Sequence, residues 1–423
     1  MKIHMKFIVA SVTALVIIMA HASILRADNL YRNNNDNVTH KQGVAADPTN
    51  IIEMNRRLFS SFPLVSDRLG ICSHSLNSTL AAKLADYKFK YIRTDLRWST
   101  VETSLGVYDF SKFDSMLSSM EEYGLTPYII LNNTNQLYTS NAALTTDTDI
   151  QGFANFVTVA VNRYKGKGVI WEIWNEPGGK WTPEQYVNLV KVIAPIIRDI
   201  DPSGTIVGPA LSNMKIRTVK WFEATCSLGI LDYFDKLSFH PYTSSMPPEA
   251  LTADYDNMKA IIAKYTDRDI PILAGEIGYS TVPDWDGKGN ICVVTEEIRA
   301  KYLVRLLMIN LINKIDITNI YVSVTPRTSN NNAENWFGIF SPTTYEATSS
   351  ADAIKNIMTA LEGYAYISKV YTLSNDDYIL KFMNQNGNFY CVAWTTASEH
   401  NVMIDGKINV LLTDTPQIVN IKN

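Results

Sequence analysis

Two glutamates stand where short apolar runs end. Glu176 follows Val169-Ile170-Trp171-Glu172-Ile173-Trp174-Asn175, and Glu276 follows Pro271-Ile272-Leu273-Ala274-Gly275. An apolar run of that length reads as a buried strand, so each carboxyl is offered at a strand's C-terminal end, where barrel enzymes keep reactive groups. Two such carboxyls are the minimum apparatus for cleaving an acetal linkage. One protonates the departing oxygen; the other attacks, or assists attack on, the oxocarbenium-like centre. Identical groups divide those tasks only if their surroundings separate their pKa values. Trp174 and Pro177 crowd Glu176 with apolar surface, which suits the proton donor. Arg93 and the Tyr242 hydroxyl are candidates to keep Glu276 ionised, which suits the nucleophile.

The elements that must position these groups follow from an alternation of short β-branched or aromatic runs with longer amphipathic segments, the pattern of repeated βα units. Strands are expected at Leu69 to Ser73, Tyr91 to Asp95, Thr126 to Leu131, Val169 to Trp174, Thr205 to Pro209, Lys236 to His240, Pro271 to Glu276 and Asn319 to Val324. That set fits an α/β chain closed into a (β/α)8 TIM barrel. Helix punctuation agrees: Asp109-Phe110-Ser111 precedes Lys112 to Glu122 and its Gly124 stop, and Thr182-Pro183-Glu184 opens Gln185 to Ile200. Alternation along the strands groups Glu172, Trp174 and Glu176 on one face, Ala274 with Glu276, Arg93 with Asp95, and Ser238, His240 and Tyr242. Arg93, Glu176, His240, Tyr242 and Glu276 then surround one opening, with Asn175 beside the acid if the strand bulges.

The remaining segments are of other kinds. Lys2 and Lys6, an apolar stretch from Phe7 to Ala20, and small residues at Ala20-His21-Ala22 and Ala27 read as a signal peptide over residues 1–27, so a secreted or periplasmic chain is expected, without stable membrane insertion once the signal is removed. Residues 28–68 form an N-terminal extension, loosely attached over Asp28 to Pro48 and helical from Ile51 to Phe62. The barrel is assigned to 69–362. Residues 363–423 alternate in short runs around the turn Asn384 to Asn388, a small C-terminal antiparallel β-domain, sandwich-like, with a scaffolding role.

With 423 residues, 46% of them hydrophobic, the chain can bury one large core and carry a small extra domain. Net charge −4 and no basic run exclude a nucleic-acid partner; a carbohydrate substrate and a monomer are expected. Cys72, Cys226, Cys292 and Cys391 lack metal spacing, and three of the 6 histidines, His4, His21 and His40, lie in the N-terminal segments, so neither metal nor other cofactor is expected. Export permits disulfides, with three full pairings open. Asn37, Asn77 and Asn132 each begin a glycosylation sequon.

Taken together, Arg93 on the second strand, Asn175-Glu176-Pro177 on the fourth, His240-Pro241-Tyr242 on the sixth and Glu276 on the seventh resemble the (β/α)8 retaining glycoside hydrolases of clan A. Trp98-Ser99-Thr100-Val101-Glu102 followed by Gly106-Val107-Tyr108-Asp109-Phe110 is similar to what members near families five and thirty-nine carry. The resemblance spans Leu69 to Leu361. It implies Glu176 as acid/base, Asn175 as the ligand of the sugar 2-hydroxyl and Glu276 as nucleophile, in a β-glycosidase cutting an oligo- or polysaccharide by double displacement. The clan commonly ends strand eight with a tryptophan that floors the sugar site. This chain has Ser323-Val324-Thr325-Pro326 there, with Trp336 in the following loop as the expected substitute.

Other readings compete for the same residues. On the Asn-Glu motif alone, Glu176 also reads as a helix cap. Arg93 could pair with Asp95 or Glu102, His240 could be a satisfied core histidine, and Tyr242, Trp98, Trp285 and Trp336 could be packing. A carbohydrate-binding protein that kept the barrel but lost the chemistry, and a transglycosylase, are the alternative functions.

Overall fold

Residues 69 to 320 alternate strand and helix, and the strands close on themselves. The computed structural model describes residues 62–283, 292–325, 332–406 and 408–421. In chain order the elements are β1 (Leu69–Cys72), α1 (Ser78–Asp86), β2 (Tyr91–Arg97), α2 (Trp98–Val101), the hairpin β3 (Glu102–Ser104) and β4 (Val107–Tyr108), α3 (Ser111–Glu122), β5 (Thr126–Asn132), α4 (Asp147–Tyr164), β6 (Ile170–Ile173), α5 (Pro183–Ile200), β7 (Thr205–Leu211), α6 (Ile216–Ser227), β8 (Lys236–Phe239), α7 (Leu251–Ile262), β9 (Ile272–Ile277), α8 (Glu296–Ile312), β10 (Ile315–Ile320) and α9 (Ser349–Ala360). All but β3 and β4 of these strands form a closed parallel barrel in the order β1-β10-β9-β8-β7-β6-β5-β2. The (β/α)8 expectation holds.

Two apolar layers explain the closure. Tyr128, Ile170, Val207, Leu273 and Ile317 fill the barrel interior, with Tyr91 packed against them. The opposite strand faces meet the helices in a continuous core that includes Ile129, Trp171, Ile206, Ile272 and Ala274. Strands buried on both faces read as unbroken apolar runs, which is why their existence was visible in the sequence. α5 opens as its punctuation requires, with Thr182 and Gln185 capping each other and Pro183 at the first position. α3 differs in detail: Phe110 is its N-cap without a side-chain bond, and Asp109 instead accepts from the Ser111 N–H at 2.8 Å.

Boundaries shift where they matter most. The eighth strand covers Ile315–Ile320, not Asn319 to Val324, because Ile315, Thr318 and Ile320 pair with β9 and β10 is spent by Ile320. Tyr321 therefore stands at the end of the eighth barrel strand.

After α9 the chain builds β11 (Tyr364–Val370), β12 (Asp377–Asn384), β13 (Phe389–Thr395), β14 (His400–Ile404), β15 (Ile408–Leu412) and β16 (Gln417–Ile421). β11-β12-β13-β16 form one antiparallel sheet, and β14-β15 a separate hairpin. Ile379, Cys391, Ala393, Ile404 and Leu412 pack between them. The other sheet face supplies Leu380, Phe382, Val392 and Trp394 to the barrel's outer core. Sheet and barrel share one hydrophobic cluster. All four cysteines are buried and unpaired, so none of the three disulfide pairings permitted by an oxidising compartment is made. The expected signal peptide, the loose segment from Asp28, the helix from Ile51, the Asn37 sequon and Trp285 lie outside the described residues, as does Pro326. No helix among the described residues is long and apolar enough to cross a membrane.

Candidate active site

Arg93 organises the barrel mouth. It points inward from β2 and is nearly inaccessible, with 3% of its side chain exposed. Its Nη2 lies 2.7 Å from Glu172 Oε2, and its Nε donates to the same oxygen at 2.8 Å. Nη1 donates to Glu276 Oε2 at 2.9 Å, and Nη2 to Asn175 Oδ1 at 2.7 Å. Burial alone would lower this guanidinium's pKa; Glu172, Cys72 and Glu276 more than reverse it, and it lies well above its ordinary value. Neither Asp95 nor Glu102 is its ion-pair partner. Asp95 is held to about 2 because bonds from His74 and Asn132, with the Arg93 and Arg97 charges, overcome its burial. Glu102 is enclosed by Trp98 Nε1 and Tyr138 Oη.

The two catalytic candidates reach the mouth by backbone irregularities that simple alternation misses. On β9, Ala274 pairs with Thr318 but Ile277 pairs with Ile320, so β9 carries one extra residue between them. This bulge breaks the expected parity: Ala274 joins the helix-facing core, and Glu276 is swung into the mouth. On β6 the strand stops at Ile173, and Trp174 and Glu176 adopt left-handed φ values of 70° and 51°. Trp174 consequently turns outward, against Phe153 and Trp181, rather than crowding the acid. Asn175 and Glu176 line the cleft together.

His240 and Tyr242 complete the set. His240 Nε2 is 3.2 Å from Arg93 Nη2. Arginine only donates, so Nε2 is the acceptor, the ring proton sits on Nδ1, and Nδ1 donates to Glu176 Oε1 at 2.8 Å. Burial works to push the Glu176 carboxyl up, but the His240 contact and the charges of Arg93 and Lys180 outweigh it and hold it below its usual range. The expectation that apolar crowding raises Glu176 is thus reversed, since Trp174 is elsewhere. Tyr242 Oη donates to Glu276 Oε1 at 2.9 Å; burial and Glu276 push its phenol well up, so it remains a donor. A Cβ at Gly275 would lie 2.2 Å from Ser238 Oγ and 3.4 Å from the His240 ring. Only glycine lets β9 pass these side chains.

These groups line a cleft of about 790 Å³. The residues Arg93, Asn175, Glu176, Tyr242 and Glu276 border it directly, and His240 is buried just beneath, bonded to Glu176. Glu176, His240 and Glu276 each bring one ligand atom within 4.8 Å of the others. A metal held by these three would face the Arg93 guanidinium, which already bonds Glu276 and His240.

A family model described as Cellulase (glycosyl hydrolase family 5) matches residues 68–328. The chain belongs to the cellulase family, glycosyl hydrolase family 5. It is a glycosidase, and its substrate is a carbohydrate. Among solved structures, this family 5 hydrolase is similar to a family 39 glycoside hydrolase from the gut symbiont Bacteroides cellulosilyticus WH2, at TM-score 0.72 and 20% identity over 85% of this chain and 82% of that one. A glucosidase from Croceicoccus marinus aligns at 0.60 and 16% identity, over 83% and 81%. Endoglucanase Cel5A from the hyperthermophilic Thermotoga maritima aligns at 0.51 and 16%, over 72% and 99%. At these identities the likeness speaks for the fold, the barrel that clan A shares. No curated protein is similar enough to the chain to count as a relative.

Several residues of the family 5 hydrolase's cleft escaped sequence reasoning. Tyr321, not Trp336, occupies the end of strand eight and lines the cleft with Phe337. Trp336 is not among the cleft-lining residues; its carbonyl accepts from Thr281 and Arg299. Trp98 is core, with 0% exposure, stacked on Phe156 and edge-on to Phe153. Tyr321 Oη donates to Glu334 Oε2 at 3.3 Å and lies 3.3 Å from His74 Nε2, joining the first and eighth strand loops. Burial and, after it, the charges of Glu276 and Glu176 push the Glu334 carboxyl up against that bond. The aromatic directly after Ile320 was the available signal for Tyr321. Asn132, a sequon residue, donates to Asp95 inside the cleft, so a glycan there would block the site.

Proposed function

We propose that this glycosidase is an exported retaining β-glycoside hydrolase that cuts an oligo- or polysaccharide by double displacement, with Glu276 as nucleophile and Glu176 as acid/base. The observation that carries the reading is the approach of the two carboxyls. An oxygen of each lies within 4.8 Å of an oxygen of the other, an approach that fits carboxyls set ~5–5.5 Å apart, as in retaining pairs.

In the first half-reaction Glu276 attacks the anomeric carbon, the bond to the leaving oxygen breaks, and Glu176 delivers its proton to that oxygen. Arg93 and Tyr242 hold one Glu276 oxygen each and so fix the attacking carboxylate. Asn175 has its Oδ1 engaged by Arg93 and turns its amide N–H groups to a sugar hydroxyl. In the second half-reaction Glu176 takes a proton from the water that cleaves the glycosyl ester. The bond from His240 favours the ionised Glu176 that this step needs. A bound sugar that covers the carboxyl, 38% exposed when the cleft is empty, strips water from the charged form and favours the acid needed first.

Glu276→Ala is expected to lower turnover of an aryl β-glycoside by at least about 10³-fold while the chain stays folded; near-normal activity ends the assignment. Proton NMR of the first-formed sugar tests the stereochemistry: a β-anomer supports retention, an α-anomer sinks it. Export, motivated by Lys2, Lys6 and the apolar stretch from Phe7, predicts a mature N-terminus after Ala22 or Ala27 in the periplasm or medium. A full-length cytoplasmic chain contradicts it.

A further inference from the structure

The cleft is asymmetric in charge. Beside Glu276 its wall carries Asp95, Glu334, Tyr321 and His74, and the basic groups there are already engaged: Arg93 by Glu172 and Glu276, Arg97 by Asp95 at 3.6 Å. Beyond Glu176 it carries Lys215 and Arg217, both exposed. Neither forms an ion pair with any carboxylate among the described residues. The chain as a whole is negative, at −4, so this wall is opposite in sign to the molecule it belongs to.

The wall's position relative to the chemistry follows from the backbone. The Glu176 N–H donates to the Ala210 carbonyl of β7 at 3.1 Å, and Gly178 lies against Trp221 of α6. The loop between β7 and α6 therefore flanks the acid/base on the side away from Arg93. Within that loop Asn213 Oδ1 accepts from the Lys215 N–H at 3.0 Å and from Thr218 Oγ1 at 2.9 Å, which sets the loop's shape before any ligand arrives. The proton donor faces the departing oxygen, so the sugar attached to that oxygen extends toward Lys215 and Arg217. The ring under attack lies toward Glu276, Tyr242 and Tyr321.

We infer that the leaving-group side of this cleft binds an anionic sugar, one bearing a carboxylate or a sulfate. The inference deepens the glycosidase reading and rests on it. Lysine and arginine meet either anion through charge-assisted hydrogen bonds, and arginine's fork can hold two of its oxygens at once. A neutral glycan would leave both cations without an ion-pair partner among the described residues.

Three soluble polymers on one β-1,4-glucan backbone separate the possibilities: hydroxyethyl cellulose (neutral), carboxymethyl cellulose (carboxylate) and cellulose sulfate. Calorimetric binding to the full chain is expected to be about three- to tenfold tighter for at least one anionic polymer at low salt, the gain from two exposed pairs. The preference should shrink at about 0.5 M salt. In Lys215→Ala/Arg217→Ala, with an unchanged melting temperature, the ratio of anionic to neutral affinity should fall toward one. Which anion responds more identifies the group recognised. Equal affinities, a preference that survives the double substitution, or no binding to any of the three overturns the inference. The same titrations on Glu276→Ala keep the two readings apart: charge preference with no Glu276-dependent hydrolysis removes the hydrolase and leaves the anion site, whereas hydrolysis without preference does the reverse.

Discussion

Arg93 alone touches four of the groups that define the site, and its geometry assigns their protons. Because it only donates, it forces His240 to present a lone pair at Nε2 and a proton at Nδ1. That proton lowers the Glu176 pKa. Activity as a proton donor is lost as pH rises through the Glu176 pKa, so removing the bond raises that pKa and moves the loss upward. His240→Ala should accordingly shift the alkaline limb of the pH dependence of kcat/KM to higher pH, besides lowering its maximum. A limb that stays in place, or moves down, shows that His240 does not tune Glu176. Glu172, completely buried, is the partner that makes a charged Arg93 tolerable there, since Tyr128 Oη donates to its other oxygen at 2.7 Å.

At the level of elements, the site depends on irregularity more than on regular strands. The β9 bulge presents Glu276, and the left-handed residues after β6 separate Trp174 from Asn175 and Glu176. Gly275 is the residue these devices spare. In Gly275→Ala the new methyl meets Ser238 Oγ at 2.2 Å, and overpacking of this kind costs ~1–3 kcal/mol. The expected outcome is a lower denaturation midpoint together with a fall in kcat, as Ser238, two residues before His240 on the same strand end, is displaced. Adding Ser238→Gly should recover much of both; no recovery means the strain lies elsewhere. Alternation predicted Arg93 and His240 correctly because β2 and β8 stay regular as far as those residues. It failed for Trp174 and Ala274, where a bulge or a positive φ changes the period.

Over the whole molecule, the C-terminal sheet is joined to the barrel by a buried polar node as well as by apolar contact. Glu249, between β8 and α7, meets Arg305 of α8 at 2.6 Å and accepts from Trp394 Nε1 of β13 at 2.8 Å. Glu249→Ala leaves a buried guanidinium and an indole N–H without this partner, which predicts a loss of ~3–5 kcal/mol. Thermal melting followed by calorimetry checks it. A change within ~0.5 kcal/mol would show that the sheet is held by Leu380, Phe382, Val392 and Trp394 alone.

What the chain determines locally is the barrel and the identity of its acids. Doubly buried strands and amphipathic helices write their period into neighbouring residues, and Asn175-Glu176-Pro177 sits at a recognisable strand end. What needed the tertiary structure is which distant groups meet. Arg93 with Glu172, Tyr321 with Glu276, and the Lys215-Arg217 segment with Glu176 are brought to one cleft by closure of the sheet across large sequence separations. Proton placement is likewise a tertiary property, because a carboxyl's pKa is set by the donors and charges around it in space, not by its neighbours along the chain.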